Sequence, residues 1–381
     1  MSLREIEVTP NPAGTLQALA GGGYTTETAV ADLIDNAISG GAATINIFLD
    51  VSGTGRLIIE DDGLGMATET LISAMKIAAR HGQERASGDL GRFGTGMKAA
   101  ALFLSTSGRF TVGSATLPEN GTLAILDQNQ MERSGRWVIS LQDHVPMPRG
   151  SVITVDAPGL VTPLEEASIH LRSLSEHLRS TFATHLADRL VITLQGHPLL
   201  PWPLCSPDLP EISCLSSRVL DHGRVRVTAF ILPTHQDEPV TEGPKGRREH
   251  AGFHVHRAGR ALTLGGWQGF RLPGRQASIR DRVRVLIEIQ PELDEEWQVN
   301  LSKSGCNIPV RLRPAVRRIV DEALIRAGRE RNPTVKNRKN EGIWTKSRMI
   351  RRDHSLIRAV VASGGDEALI EQLLVCLEEE R

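Results

Sequence analysis

The sequence predicts an α+β protein made of two successive layers of helices on mixed sheets, with a helical basic tail. Three observations point there. Strand signals in the first ~160 residues cluster after helices instead of alternating with them strictly, which puts the helices on one face of a sheet. A long amphipathic helix near residue 164 opens a second such set. The composition, 381 residues with 40% hydrophobic, 23% charged and a formal net charge of −1, is that of a soluble globular chain. Its length suits two domains plus a tail at roughly 100–200 residues per domain.

Each element follows from its pattern. In Thr26–Ser39, Val30, Leu33, Ile34, Ala37 and Ile38 recur at helical spacing. "ATINIFLD" then alternates apolar and polar residues, and "GRLIIEDDG" is a strand running into a turn. A helix over Leu71–Arg80, a Gly-rich loop and a helical run from Gly96 to Leu104 come next. The strands "RFTVGSA", "TLAILDQ", "RWVISLQ" and "GSVITVDA" complete an expected domain 1–160. A helix over Leu164–His185 leads to "RLVITLQ", "RVRVTAFIL", "GFHVHRAGRAL" and "VRVLIEIQ", and "RLRPAVRRIVDEALIRAGRERN" ends as a helix near Gly328. That is an expected second domain, 161–328. Residues 329–381 form a basic linker and a short amphipathic helix, "DEALIEQLLVCLEEE".

Several classes are set aside at this level. No apolar run approaches the ~18 residues that span a membrane, and "MSLREIEVTPNP" lacks the basic-then-apolar form of a signal peptide. Cys205, Cys214, Cys306 and Cys376 are scattered and form no CxxC pair. A cytoplasmic protein is expected. Arg329–Arg358 holds ten Lys or Arg against Glu330, Glu341 and Asp353, either a solvated linker or a surface for nucleic acid or an acidic partner. Trp344 within it suits stacking on a base. His254 and His256 alternate along one strand without Cys or acidic neighbours, which fits strand residues better than metal ligands.

The chemistry gathers around glycines and one helix. Asp32, Asp35 and Asn36 are threaded through the apolar stripe of that helix. A polar group buried without a partner costs roughly 2–7 kcal/mol, so partners must await them. "EDDGLGM" (Glu60–Met66) ends a strand where glycine lets a ligand approach the backbone, and the Asp61 carboxylate suits an exocyclic amine. "DLGRFGTGMKAA" (Asp89–Ala100) leads Gly91, Gly94 and Gly96 into a helix N-terminus, where backbone N–H groups favour anions. "RGSVITVD" brings Gly150 and Ser151 into a strand.

In order and spacing, "LIDNAI", "DDGLGM", "GRFGTGMK" and "GSVI" resemble the four boxes of the GHKL ATPase superfamily, which includes DNA gyrase, heat-shock chaperones, histidine kinases and mismatch-repair MutL. The sequence looks most similar to the MORC-like branch and its bacterial relatives. The resemblance implies a Bergerat-type ATP-binding α/β sandwich followed by a smaller α+β transducer domain. It implies Asp32 as the general base that activates water, Asn36 as the Mg²⁺ ligand, and Asp35 as part of the same cluster. It assigns Asp61 to the adenine amine with Gly65 and Met66 beside the base, Gly91, Gly94, Thr95, Gly96, Met97 and Lys98 to the phosphates, and Ser151 to the adenine side. "QVNLSKSGCNIP" resembles the transducer loop whose lysine reaches the γ-phosphate, here Lys303. "HRAGRAL" looks like the transducer hairpin.

Most relatives carry Glu where this chain has Asp32. The shorter side chain sets the carboxylate about 1.5 Å back, a misplacement that can cost on the order of 100-fold in rate, so slow hydrolysis is expected. The resemblance further implies a lid about Ala78–Thr95, a nucleotide-dependent homodimer, separately encoded protein partners, and DNA association through 329–358 in genome maintenance or defence. The alternative is a chaperone-like or signalling ATP switch acting on protein clients, with little or no hydrolysis.

Overall fold

A computed structural model describes residues 3, 6, 8, 10–51, 55–77, 94–160, 164–205, 212–215, 217–234, 243–272, 276–300 and 302–329. Gly91, most of the expected lid, Trp344 and the segment 330–381 lie outside the described residues. Met1–Gly328 form one compact unit. Within it the chain is α+β with two mixed sheets.

The first layer opens with α1 (Pro12–Ala20), which the sequence pattern did not announce. Asn11 caps it by accepting from Gly14 N at 2.8 Å, closing one of the N–H groups a helix start leaves open. The second helix, α2 (Thr26–Ser39), has the expected bounds. Thr25 and Thr28 bond each other's backbone N–H reciprocally, which fixes where the helix begins. Then come β1 (Thr44–Leu49), β2 (Arg56–Asp61), α3 (Thr68–Met75), α4 (Gly96–Leu104), β3 (Arg109–Ala115), β4 (Gly121–Asp127), α5 (Gln128–Ser134), β5 (Ser140–Val145) and β6 (Gly150–Asp156). The strand expected from "RWVISLQ" begins only at Ser140; α5 and its left-handed Gly135 cap come before it, and residues 136–139 run irregularly between them.

The helix expected over Leu164–His185 is two, α6 (Leu164–Thr181) and α7 (Ala183–Asp188). They part at Phe182, whose ring is fully buried in the first core. Beyond them β7 (Val191–Leu194) and β8 (His197–Pro198) return to the first sheet, whose order is β5-β4-β3-β6-β2-β1-β7-β8. The sheet therefore does not end at residue 160, where a boundary was expected. β7 pairs parallel with β1, Ile45 facing Ile192, so β7 and β8 continue the first sheet past residue 160. Its core joins Leu33 and Ile34 of α2, Ile45 and Ile47 of β1, Phe110 of β3 and Leu178 of α6. Each such side chain contributes about 1.5–3 kcal/mol when fully buried.

The second sheet has the order β10-β11-β14-β12-β13, with β9 pairing β11. Its strands are β9 (Ser213–Cys214), β10 (Arg218–Leu220), β11 (Val225–Ile231), β12 (Gly252–Arg257), β13 (Arg260–Leu264) and β14 (Val283–Ile289), with short helices α8 (Gly246–Glu249) and α9 (Ala277–Arg280) between them. The last described helix, α10 (Arg313–Arg329), lays Val316, Val320 and Leu324 onto Val227, Phe253 and Val285. The layers meet where α6 and α7 lie against β13.

Candidate functional site

The acidic face of α2 is buried and fully partnered. Asp32 is 2% exposed and Asp35 0%, a placement that charged groups tolerate only with counter-charges. Both counter-charges arrive from the second layer. The Lys303 ammonium donates to Asp32 Oδ1 and, at 2.7 Å, to Asp35 Oδ2. Arg260 on β13 donates through Nε to Asp35 Oδ1 at 2.8 Å and through Nη1 to the Lys303 carbonyl at 2.7 Å. Two carboxylates and two cations balance, which answers the demand for partners raised by the sequence.

Tyr24, just before α2, donates its hydroxyl to Asp32 Oδ2 at 2.9 Å. Burial, then the charge of Asp32, raise the Tyr24 phenol well above its ordinary 10.0, so it stays a donor. Gly96, the first residue of α4, presses on the same oxygen: a Cβ there would stand 2.5 Å from Asp32 Oδ2. Asn36 is exposed. Its amide nitrogen donates to the Asp32 carbonyl at 2.9 Å, a bond that does not engage the oxygen of this exposed side chain. An amide oxygen suits a hard cation such as Mg²⁺.

The N-terminus of α4 begins at Thr95, whose hydroxyl makes no capping bond. Among the described residues, no side-chain cap closes the first-turn N–H groups running through Gly96 and Met97, the arrangement that favours an anion. Lys98 points elsewhere. It is 2% exposed, and its ammonium donates to Ala74 O at 2.5 Å, near the C-terminus of α3. Cations are favoured at a helix C-terminus. Met97 packs on the first core, and Gly94 precedes Thr95 as a bend with φ +65°.

A second cluster lies at the ends of β2 and β6. Asp61 is half-buried, and burial raises its carboxyl, opposed by the N–H groups of Gly63 and Ser151. Its Oδ1 accepts from Gly63 N at 2.9 Å. Gly65 sits at φ +66°, and a Cβ there would stand 2.0 Å from Ala115 O, so only glycine fits this close crossing. Met66 N donates to Ser114 Oγ at 2.8 Å, and Ser114 Oγ bonds Ser151 Oγ at 2.9 Å. Ser114 thus links Met66 to Ser151, which stands opposite Asp61 in register. The second acid of the pair, Asp62, holds Ala43 and Thr44 N at 2.8 Å and serves the start of β1.

The geometry therefore unites Asp32, Asp35, Lys303, Tyr24 and Gly96 in one cluster, with Asn36 at its edge, and Asp61, Gly65, Met66 and Ser151 in another. Sequence reasoning missed Tyr24, Ser114 and Arg260. Ser114 is 1% exposed inside a strand, and a buried small polar residue there was the available signal. His254 belongs to neither cluster; it is buried in β12, bonded through Nε2 to the His250 carbonyl at 2.8 Å.

Residues 24–154 match the family model described as histidine kinase-, DNA gyrase B- and HSP90-like ATPase. The chain is 26% identical over 233 residues to the DNA mismatch repair protein MutL of Phenylobacterium zucineum (strain HLK1), covering 54% of this chain and 37% of that protein. It is 38% identical over 77 residues to ATPase morc-1 of Caenorhabditis elegans, covering 20% of this chain and 9% of that protein. The chain thus spans well under half the length of both relatives. Among the described residues, no helix is long and apolar enough to cross a membrane.

Proposed function

We propose, from the premise that residues 24–154 form a GHKL-type ATPase domain, that this chain binds ATP with Mg²⁺ and hydrolyses it slowly as a nucleotide-gated switch. One observation carries the reading: Lys303 of the second layer reaches Asp32 of α2. The γ-phosphate of a nucleotide lying between α2 and α4 would meet a carboxylate and a cation from different layers, so one event would engage both.

In this reading Asp61 and Ser151 hold the adenine edge, with Gly65 and Met66 beside the ring, while Ser114 keeps Met66 and Ser151 in place. The N-terminus of α4, with Gly94, Thr95, Gly96 and Met97, receives the phosphates. Gly91 joins them by resemblance, and Lys98 acts from the interior as a support for α3. Asn36 would hold Mg²⁺, which neutralises phosphate charge when bound. Asp32 accepts the proton of the attacking water as its oxygen bonds to the γ-phosphorus and the bond to ADP breaks. Lys303 stabilises the charge that builds on the transferred group.

Arg260 and Lys303 tie this chemistry to the second layer, which acts as transducer, so that nucleotide state sets the arrangement of the layers and closes a homodimer. The similarity to a mismatch repair protein and to morc-1 favours DNA as the client, with 329–358 as contact and separately encoded proteins as partners. The test is phosphate release from ATP with Mg²⁺, with and without duplex DNA, beside ATP binding measured by calorimetry. Asp32→Asn should bind ATP and release no phosphate. Equal hydrolysis by Asp32→Asn would remove Asp32 as the base. DNA stimulation that falls steeply with salt supports the DNA client, and its absence favours a protein client. Sedimentation that shows no ATP-dependent dimer would overturn the dimerising switch.

A further inference from the structure

We infer that Arg260 is the positioning residue for Lys303, through a bridge from the β12–β13 hairpin to both α2 and the lysine loop. The inference rests on the reading that Lys303 acts on the γ-phosphate. It begins with the turn Ala258–Gly259, whose two residues have φ +48° and +81°. Such a primed turn matches the strand twist and sets a tight register. Arg257 and Arg260 are consequently direct cross-strand partners. Both are buried, at 0% and 1% exposure.

The two arginines hold both ends of the segment that carries the lysine. Arg257 Nε donates to Asp294 Oδ1 at 2.6 Å, where the chain leaves the second sheet. Arg260 Nη1 donates to the Lys303 carbonyl at 2.7 Å. Within the loop, Lys303 N bonds to Asn300 O at 3.1 Å, and Ser304 N to Asn300 Oδ1 at 2.9 Å. Lys303 has φ +48°, a left-handed conformation that a β-carbon disfavours. Two grips hold it there: Asp32 and Asp35 bind its ammonium, and Arg260 binds its carbonyl. Through Nε the same guanidinium is bound to Asp35 at 2.8 Å, and its charge lies 5.9 Å from the Phe182 ring centre.

Arg260 therefore sets the height of Lys303 above α2, and Asp35 is the anchor on which it stands. A planar guanidinium with separate donors can hold a carboxylate and a carbonyl in two directions at once; an ammonium on a flexible stem cannot. Arg260→Lys preserves the buried charge and should still fail.

The experiment pairs ATPase kinetics with chemical labelling of Lys303. Arg260→Lys and Arg260→Gln should lower kcat by about 100-fold, the scale of an ångström's misplacement, with KM for ATP within about 3-fold. In a Lys303→Met background, Arg260→Lys should cost nothing further, since both act through one cation. Acetylation with acetic anhydride, read by mass spectrometry, should find Lys303 protected in the wild type and labelled on the order of 10-fold faster in either Arg260 variant. Wild-type kcat and protection in Arg260→Lys would overturn the inference, as would full multiplicative losses in the double variant. Should Arg260→Gln fail to fold, Arg260→Lys still decides. Absence of ATP hydrolysis in the wild type would sink the catalytic reading alone, because the labelling arm tests the positioning without ATP.

Discussion

The ammonium of Lys303 is hydrogen-bonded to the carboxylate of Asp32, 271 residues earlier in the chain. That bond joins the loop after the second sheet to the helix that carries the acidic cluster.

Replacing Lys303 by Met removes a cation aimed at charge that develops only during phosphoryl transfer. The expected loss in kcat is on the order of 100- to 1000-fold, with ATP affinity nearly unchanged. Steady-state kinetics beside calorimetric ATP binding check it; a rise in KM alone would show ground-state binding instead.

Gly96→Ala places a Cβ 2.5 Å from Asp32 Oδ2. That oxygen cannot swing aside cheaply, because Tyr24 holds it at 2.9 Å while Lys303 holds its neighbour. Displacement of the carboxylate should cost hydrolysis about 100-fold, with the fold retained. A wild-type rate would show that Asp32 need not stay where it is.

Asp35→Ala leaves Arg260 and Lys303 short of one carboxylate inside the protein. Breaking such a buried pair costs about 3–5 kcal/mol, measurable as a lower urea midpoint. Combining it with Arg260→Met should recover part of the loss, with a coupling of about 0.5–3 kcal/mol. Strict additivity would mean the pair contributes nothing jointly.

Tyr24 is the sole tyrosine, and its phenol is raised above 10.0. Above pH 10 the unfolded chain loses that proton while the folded chain keeps it, so the folded state binds more protons. Stability present below pH 10 is then lost as pH rises, by up to about 1.4 kcal/mol per unit. Tyrosinate absorbance should appear only with unfolding, and Tyr24→Phe should flatten the alkaline slope. Titration near pH 10 in the folded protein would contradict the buried bond to Asp32.

His177, His250 and His256 are depressed from 6.5 to about 4, chiefly by burial. Between those values the unfolded chain binds protons that the folded chain refuses. Stability present above pH 6.5 should fall as pH drops toward 4, each histidine contributing up to about 1.4 kcal/mol per unit. Urea titrations across that window test it; a flat profile would place these rings in water.

Much of the first layer was legible because its signals are local. The helical stripe of Val30, Leu33 and Ile34 marked α2, and alternation in "TINIFL" marked β1. α1 and α5 escaped because α1 buries only Pro12, Ala13 and Leu16 and α5 only Met131, too few apolar positions to mark a helical stripe. The break at Phe182 escaped because apolar residues keep helical spacing across it, at Leu178, Phe182 and Leu186. Lys98 looked like a phosphate ligand beside its glycines, yet its direction depends on the carbonyl at Ala74.

The sequence by itself determined that a polar cluster interrupts an apolar helix, that glycines open two turns beside it, and that partners must meet those acids. Spacing along one element settles such matters, since residues three or four apart on a helix share a face whatever surrounds them. Only the tertiary structure decided which partners arrive. Arg260 stands 225 residues from Asp35, Ser114 stands 48 from Met66, and β7 joins β1 past the expected boundary. These meetings follow from sheet order and layer packing, where the free energy of burying two charges depends on both being brought to the same place.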